Sequence, residues 1–353
     1  MVSLEELLML LVQRGGSDLH ISAGAPPKIR VDGKLINTDL PVMTPEATQK
    51  LIYSILDSSQ VAKFEKTHEL DMSFGIEALG RFRTNVFLQR GAVASVLRVI
   101  PEKIKTFEDL GLPRKVCEML CSKPRGLILV TGATGSGKST TLAAMIDYIN
   151  TTEYGHILTI EDPIEFVHRN KNCLINQREV GSDTHDFKSA LRAVLRQDPD
   201  TVLIGEMRDM ETIEVALTVA ETGHLTYGTL HTSDAVQTIN RIVDVFPAHQ
   251  QQQIRTQLSF TLVAVFCQQL LPRPGGKGRV LVSEIMLANS AIKALIRENK
   301  AHQMYSMIQV GGKDGMQTMN QSLANAYKAG HIGLEECIGH SSDQEDLKRL
   351  LAK

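Results

Sequence analysis

Gly132-Ala-Thr-Gly-Ser-Gly-Lys138-Ser139 lies between a short apolar run, residues 127–131, and a stretch of helix-forming residues. Few folds accommodate a glycine-rich loop between a buried strand and a helix, and those that do place a phosphate in it. The glycines let successive backbone N–H groups turn inward, and the helix that starts near Lys138 adds its positive end to the same cavity. Lys138 is placed to reach β and γ phosphates, and the Ser139 hydroxyl to hold Mg²⁺. The expected phosphate-contacting set is Gly132, Ala133, Thr134, Gly135, Ser136, Gly137, Lys138, Ser139 and Thr140, with ATP as ligand and Mg²⁺ as its companion.

Composition narrows what such a loop can serve. A chain of 353 residues that is 42% hydrophobic and 22% charged has the make-up of a soluble protein of about two domains. No run of eighteen apolar residues occurs, and the apolar stretch at residues 7–12 follows Glu5 and Glu6 instead of a basic segment, so neither a spanning helix nor a signal peptide is expected. Net charge is -2 and no block of five basic residues occurs, which argues against nucleic acid as a partner. The five cysteines stand singly or, as Cys117 and Cys121, at the spacing of one helix face, and read as buried reduced thiols.

The pattern changes character near residue 100. Residues 3–14 have helical apolar spacing and end at Gly15-Gly16. Residues 28–31 and 34–37 flank Asp32-Gly33, a two-residue hairpin signal, and Thr44-Pro45 opens a second helix. Residues 69–76, 80–89 and 92–100 read as three strands, the middle one directing Phe82, Thr84, Val86 and Leu88 to one face. Residues 1–100 thus read as a small α+β domain on an antiparallel sheet. Residues 101–113 are polar and proline-bounded, as expected of a linker, and residues 114–353 as a second domain.

Beyond residue 113, strands at 127–131, 156–161, 201–205 and 225–230 alternate with helices, and the chain then becomes mainly helical apart from strands near 268–271 and 279–285. Such alternation predicts an α/β fold whose largely parallel sheet binds ligands at the carboxyl ends of its strands. Glu206 follows one of those strands, next to the loop, and is the candidate for orienting and activating an attacking water. Many phosphate-loop ATPases have a metal-holding Asp immediately before this Glu, but here that residue is Gly205. Glu161, Asp162 and Glu165 are the acids available to support the metal, directly or through water. His224 and His231 bracket the 225–230 strand, and either can donate a hydrogen bond that reports the γ phosphate.

Taken in order, the loop, Glu161-Asp162-Pro-Ile-Glu165, Gly205-Glu206-Met-Arg-Asp209 and the histidine segment 222–232 resemble the secretion ATPase superfamily, and within it the pilus retraction ATPases of the PilT family. Ser17-Asp-Leu-His-Ile, Pro26-Pro27, Gly80-Arg-Phe-Arg83 and Gln177-Arg-Glu-Val-Gly181 extend the similarity over nearly the whole chain. Ala291-Ile-Lys-Ala-Leu-Ile-Arg-Glu298 resembles the family's Ala-Ile-Arg-Asn-Leu-Ile-Arg-Glu box, departing from it at Lys293 and Ala294. Extension ATPases usually carry a four-cysteine zinc insertion; residues 270–283 contain no cysteine, and the short N-terminal half leaves no room for the extra domain of extension and secretion ATPases.

The resemblance implies a homohexamer in which each subunit joins a PAS-like N-terminal domain to a RecA-like ATPase domain. ATP turnover would act on an inner-membrane pilus platform protein and the pilus assembly machinery. Arg81, Arg83 and Arg98 would be charge-stabilising fingers. The expected place is the cytoplasm, at the cytoplasmic face of the inner membrane at the pilus base, with membrane association through partners. Two other classes stand beside this one: a related hexameric ATPase for secretion, pilus extension or DNA translocation, and a nucleotide-sensing scaffold that does not hydrolyse. Neutral charge disfavours DNA, and intact Lys138 and Glu206 disfavour the scaffold.

Overall fold

The structure, a computed structural model, describes residues 2–31, 33–77, 79–101, 103–275 and 278–352; Asp32 of the expected hairpin turn lies outside them. The chain divides into two compact units, Met1–Lys103 with Glu165–Val167, and Ile104–Ile164 with His168–Lys353.

The first unit begins with α1 (Leu4–Gln13), whose Ser3 and Glu6 close a reciprocal capping box that satisfies N–H groups the helix start would leave unpaired. There follow β1 (Asp18–Ile21), β2 (Lys28–Val31), β3 (Lys34–Asn37), α2 (Pro45–Tyr53), α3 (Ser58–Thr67), β4 (Glu69–Ile76), β5 (Gly80–Gln89) and β6 (Ala92–Ile100). The strands pair antiparallel in the order β3-β2-β1-β6-β5-β4. Period-two alternation buries Phe82, Thr84 and Val86 of β5 on the core side, where the core includes Leu7, Leu8 and Leu11 of α1 and Phe64 of α3. Leu88, expected on that face, is exposed, lining an open cavity with Tyr53 of α2 and Phe64 of α3.

Most of the stretch expected to be a linker is structured within the second unit. Thr106 and Asp109 form a capping box for α4 (Phe107–Leu110), and Phe107 and Leu112 are buried in the same core as Val116 of α5 (Arg114–Cys121). Two apolar anchors among polar neighbours carry no periodicity, which is why composition reads the segment as linker. The sheet of this unit is built from β7 (Gly126–Thr131), β8 (His156–Glu161), β9 (Leu174–Glu179), β10 (Thr201–Ile204), β11 (Leu225–Leu230), β12 (Leu262–Pro272) and β13 (Arg279–Leu287). Its order is β13-β12-β7-β11-β10-β8-β9, parallel except for the β12–β13 pair. The helices are α6 (Lys138–Thr152), α7 (Phe187–Val194), α8 (Met210–Glu221), α9 (Ala235–Asp244), α10 (Ala248–Thr261), α11 (Ser290–Arg297), α12 (Met304–Val310), α13 (Met319–Lys328), α14 (Leu334–Gly339) and α15 (Gln344–Leu351).

Two cores flank this sheet. Leu127 and Leu129 of β7 enter one with residues of α7 to α11, while Ile128 and Val130 enter the other with residues of α5 and α6. A strand covered on both faces must be apolar throughout, and every position of β7 is buried. β12 begins at Leu262, directly after α10, six residues before the expected strand: no turn residue separates helix from strand, so the apolar run 262–267 fits either periodicity. All five cysteines are free and buried. Among the described residues no helix is long and apolar enough to cross a membrane.

Candidate active site

The phosphate loop joins the end of β7 to α6 as expected. Gly132 has φ 139°, and a Cβ there would come within 2.3 Å of the Gln268 carbonyl oxygen, so both the backbone angle and the approach of β12 require glycine. Gln268 also donates from Nε2 to the Ser136 carbonyl at 2.8 Å. Fully buried, this glutamine braces the loop from the neighbouring strand. In the sequence Gln268 is a lone amide after the apolar residues 262–267, with no local pattern that signals this contact. The Lys138 ammonium donates to the carbonyls of Gly132 and Ala133, at 2.9 and 3.2 Å. Both acceptors belong to the loop, so the cation already sits over the cradle. Backbone N–H groups in the first turn of α6, which includes Ser139 and Thr140, have no intrahelical acceptor and remain available to an anion.

Glu206 follows β10, but β10 is not the neighbour of β7: β11 lies between them. The separation is two strand spacings, about 10 Å, and the intervening strand delivers His231. Two backbone bonds and one side-chain bond set this position: Gly205 N–H to Ile160 O at 2.8 Å, Met207 N–H to Thr229 O at 3.0 Å, and the Thr229 hydroxyl to Gly205 O at 2.5 Å. His231 Nε2 is 3.1 Å from Glu206 Oε1, and because a carboxylate only accepts, Nε2 carries the proton. Arg208 grips the same carboxylate through Nε to Oε1 at 2.6 Å and Nη2 to Oε2 at 2.7 Å. The Arg208 bond holds the Glu206 carboxyl below its ordinary pKa against the opposing effect of partial burial, and Arg208 and His231 charge adds to the lowering. With 69% of its side chain exposed, Arg208 makes a pair of the kind that contributes about 1 kcal/mol or less. Such a bond yields readily to a phosphate. In the sequence Arg208 is marked only as part of the segment 205–209, with nothing local to pair it with Glu206.

Gly205 has a steric cause. A Cβ at this position would lie 3.1 Å from Ile160 O and 3.2 Å from Glu161 Cα, with Glu161 Cγ at 3.6 Å. Glu161 therefore occupies the space into which an aspartate at 205 would project. Its Oε1 accepts the Thr159 hydroxyl at 2.7 Å and the Gln177 amide at 3.2 Å. A Ser139 hydroxyl and a hard, oriented carboxylate suit magnesium chemically. Among the described residues no three His, Cys, Asp or Glu side chains converge as a metal-holding group. Gly205→Ala is expected to destabilise the protein by about 1–3 kcal/mol through overpacking, read as a lower melting temperature; an unchanged melt would show that the Glu161 backbone gives way.

The remaining predicted residues are not all gathered here. Asp162 directly follows β8 and is exposed, whereas Glu165 groups with the first compact unit. His224 stands at the amino end of β11, the opposite end from His231. Six strand residues, about 20 Å, separate it from the Glu206 side of the sheet, and its Nδ1 lies 3.0 Å from the Val219 carbonyl near the end of α8. Of the two histidines, either of which the sequence leaves open to a phosphate-reporting role, His231 joins Glu206 within one subunit and His224 does not. Arg81 and Arg83 are on β5 in the first unit, Arg81 donating to Ser73 Oγ at 2.6 Å. Arg98 donates to Asp18 at 2.8 Å; burial raises the Asp18 pKa, but the Arg98 and Ser17 bonds outweigh it and the carboxyl lies below its ordinary value.

The family described as type II/IV secretion system protein matches residues 2–339. A Pseudomonas aeruginosa protein described as type IV pilus retractation ATPase PilT is 52% identical over 334 residues, covering 95% of this chain and 96% of its own length. A Neisseria gonorrhoeae twitching motility protein is 48% identical over 321 residues, covering 91% of this chain and 86% of its own. A crystal structure of the pilus retraction motor PilT with bound ADP superposes with a TM-score of 0.93 at 53% identity, over 99% of this chain and all of that one. The chain belongs to the type II/IV secretion system protein family, within its PilT branch of pilus retraction ATPases.

Proposed function

We propose that this chain is an ATP hydrolase whose turnover drives type IV pilus retraction. The observation that carries the reading is the meeting of Glu206 and His231 at the strand ends beside the phosphate loop, in a chain 52% identical to a pilus retraction ATPase. The loop amides and Lys138 bind and orient the phosphates. Glu206, released from Arg208, accepts a hydrogen bond from the attacking water and aims it in line, while His231 holds the carboxylate from the side. Magnesium, held by Ser139 and through Glu161, with Asp162 and Glu165 as further donors, would neutralise charge on the β and γ phosphates. Arg81 and Arg83 are the proposed fingers, and His224 remains proposed only for a contact outside its own subunit's site. In this reading residues 1–100 form the PAS-like domain, six subunits form the working ring, and the ring acts at the cytoplasmic face of the inner membrane on a platform protein of the pilus machinery.

Pilus length followed by fluorescence microscopy in a deletion strain complemented with this chain tests the reading. Restored shortening is expected; static, surplus pili at normal expression would refute it. α11 gives a sharper test of coupling. Ile292 and Ile296 are buried in the core, so the helix cannot be disrupted there without damage to packing, whereas Lys293 is partly exposed. Lys293→Glu is expected to abolish retraction with basal ATPase activity within about twofold of the parent. Parallel loss of both would assign α11 to folding.

A further inference from the structure

The edge strand β9 sends two polar side chains back toward the acidic segment. In the parallel register Gln177 stands opposite Thr159 and Glu179 opposite Glu161, so the four share one face of the sheet. The Gln177 amide donates to Glu161 Oε1 at 3.2 Å, the oxygen that also takes the Thr159 hydroxyl at 2.7 Å. From its other side the Gln177 carbonyl oxygen accepts the His168 backbone N–H at 2.8 Å. Glu179 accepts the Ile164 N–H at 3.2 Å. Between Ile164 and His168 run residues 165–167, which group with the first compact unit while both flanking residues belong to the second. Each neck of that excursion is thus anchored on a β9 side chain, and one anchor is shared with Glu161.

We propose that Gln177 is a positioning residue that sets the Glu161 carboxylate and ties its placement to the backbone at His168. The inference rests on the reading of Glu161 as a support for magnesium. An amide offers both a donor for the carboxylate and an acceptor for the backbone N–H without adding charge. Gln177→Glu keeps the acceptor but replaces the donor with a second negative group facing Glu161, whereas Gln177→Met keeps the length and loses both bonds.

The test uses the full chain and calorimetric titration with ADP, with and without Mg²⁺. Both variants are expected to lose about tenfold of the tightening that Mg²⁺ confers on ADP, as outer-shell ligand partners do when removed, while ADP affinity in EDTA stays at the parent value. Hydrogen exchange at the His168 amide should accelerate in Gln177→Met and not in Gln177→Glu. Glu161→Gln, run alongside, must show the same loss of Mg²⁺-dependent tightening. If Glu161→Gln loses it and the Gln177 variants do not, the positioning role is overturned and the metal reading stands. If Glu161→Gln binds as the parent does, the metal reading itself fails. Melting points lowered by more than about 10 °C in both Gln177 variants, several kcal/mol for a domain of this size, would make Gln177 a folding residue and overturn the proposal.

Discussion

Lys138→Ala is expected to lower ATP turnover at least about a thousandfold, because positioning and charge stabilisation constitute nearly all of phosphoryl-transfer catalysis. Its Nζ lies over the loop, bonded to the loop carbonyls of Gly132 and Ala133, while the Arg279 guanidinium reaches the loop only at the Gly135 carbonyl, at 3.4 Å. Truncation removes a full positive charge at the β and γ phosphates, where the loop can substitute only partial charges from amides. The fold should survive, since the two bonds it loses lie within the loop and Ala133, which accepts one of them, is exposed to water. Phosphate release measured by a coupled assay, together with equilibrium binding of a fluorescent ATP analogue, checks the prediction. Turnover within tenfold of the parent would remove Lys138 from the chemistry.

Glu206→Gln separates binding from hydrolysis. The amide matches the carboxylate in size and keeps one acceptor, so the contacts with Arg208 or His231 can persist in part, but it no longer draws a proton from water. Turnover is expected to fall about a hundred- to ten-thousandfold, the usual contribution of general base catalysis, with Mg-ATP affinity retained. A single-turnover experiment reads the chemical step directly. Parent-level turnover in the Gln variant would sink the assignment of Glu206 as base; loss of binding alongside turnover would mean that the carboxylate holds the site together. The structure adds one reason to expect a clean result, because the backbone that carries Glu206 is stitched to both neighbours, Ile160 of β8 and Thr229 of β11, independently of its side chain.

Much of the site could be read before any fold was known. β4, β5, β6, β8 and β11 span the stretches that alternation and apolar runs mark out, and the phosphate loop lies between β7 and α6 as its spacing requires. Gln177 and Gln268 were harder. Each is a single amide whose role lies wholly in the partner it reaches: Glu161 is sixteen residues from Gln177, and Ser136 is one hundred and thirty-two residues from Gln268. The two histidines show the same limit. On paper His224 and His231 are equivalent ends of one strand, and only the parallel direction of β11 beside β7 and β10 puts one at the ligand edge and the other at the far edge.

The glycine before Glu206 marks the boundary between the two kinds of information. Sequence alone established that the expected aspartate is missing, along with the loop, the strands, the helix caps and the family resemblance, because these depend on backbone geometry and side-chain patterns within a few residues of each other. Tertiary structure decided why it is missing, by bringing Glu161 of β8 into van der Waals contact with residue 205. It also inserted β11 between β7 and β10 and gave the Glu206 carboxylate its partners. Those arrangements arise from packing between segments tens of residues apart, and packing energies act only when the chain has brought the segments together.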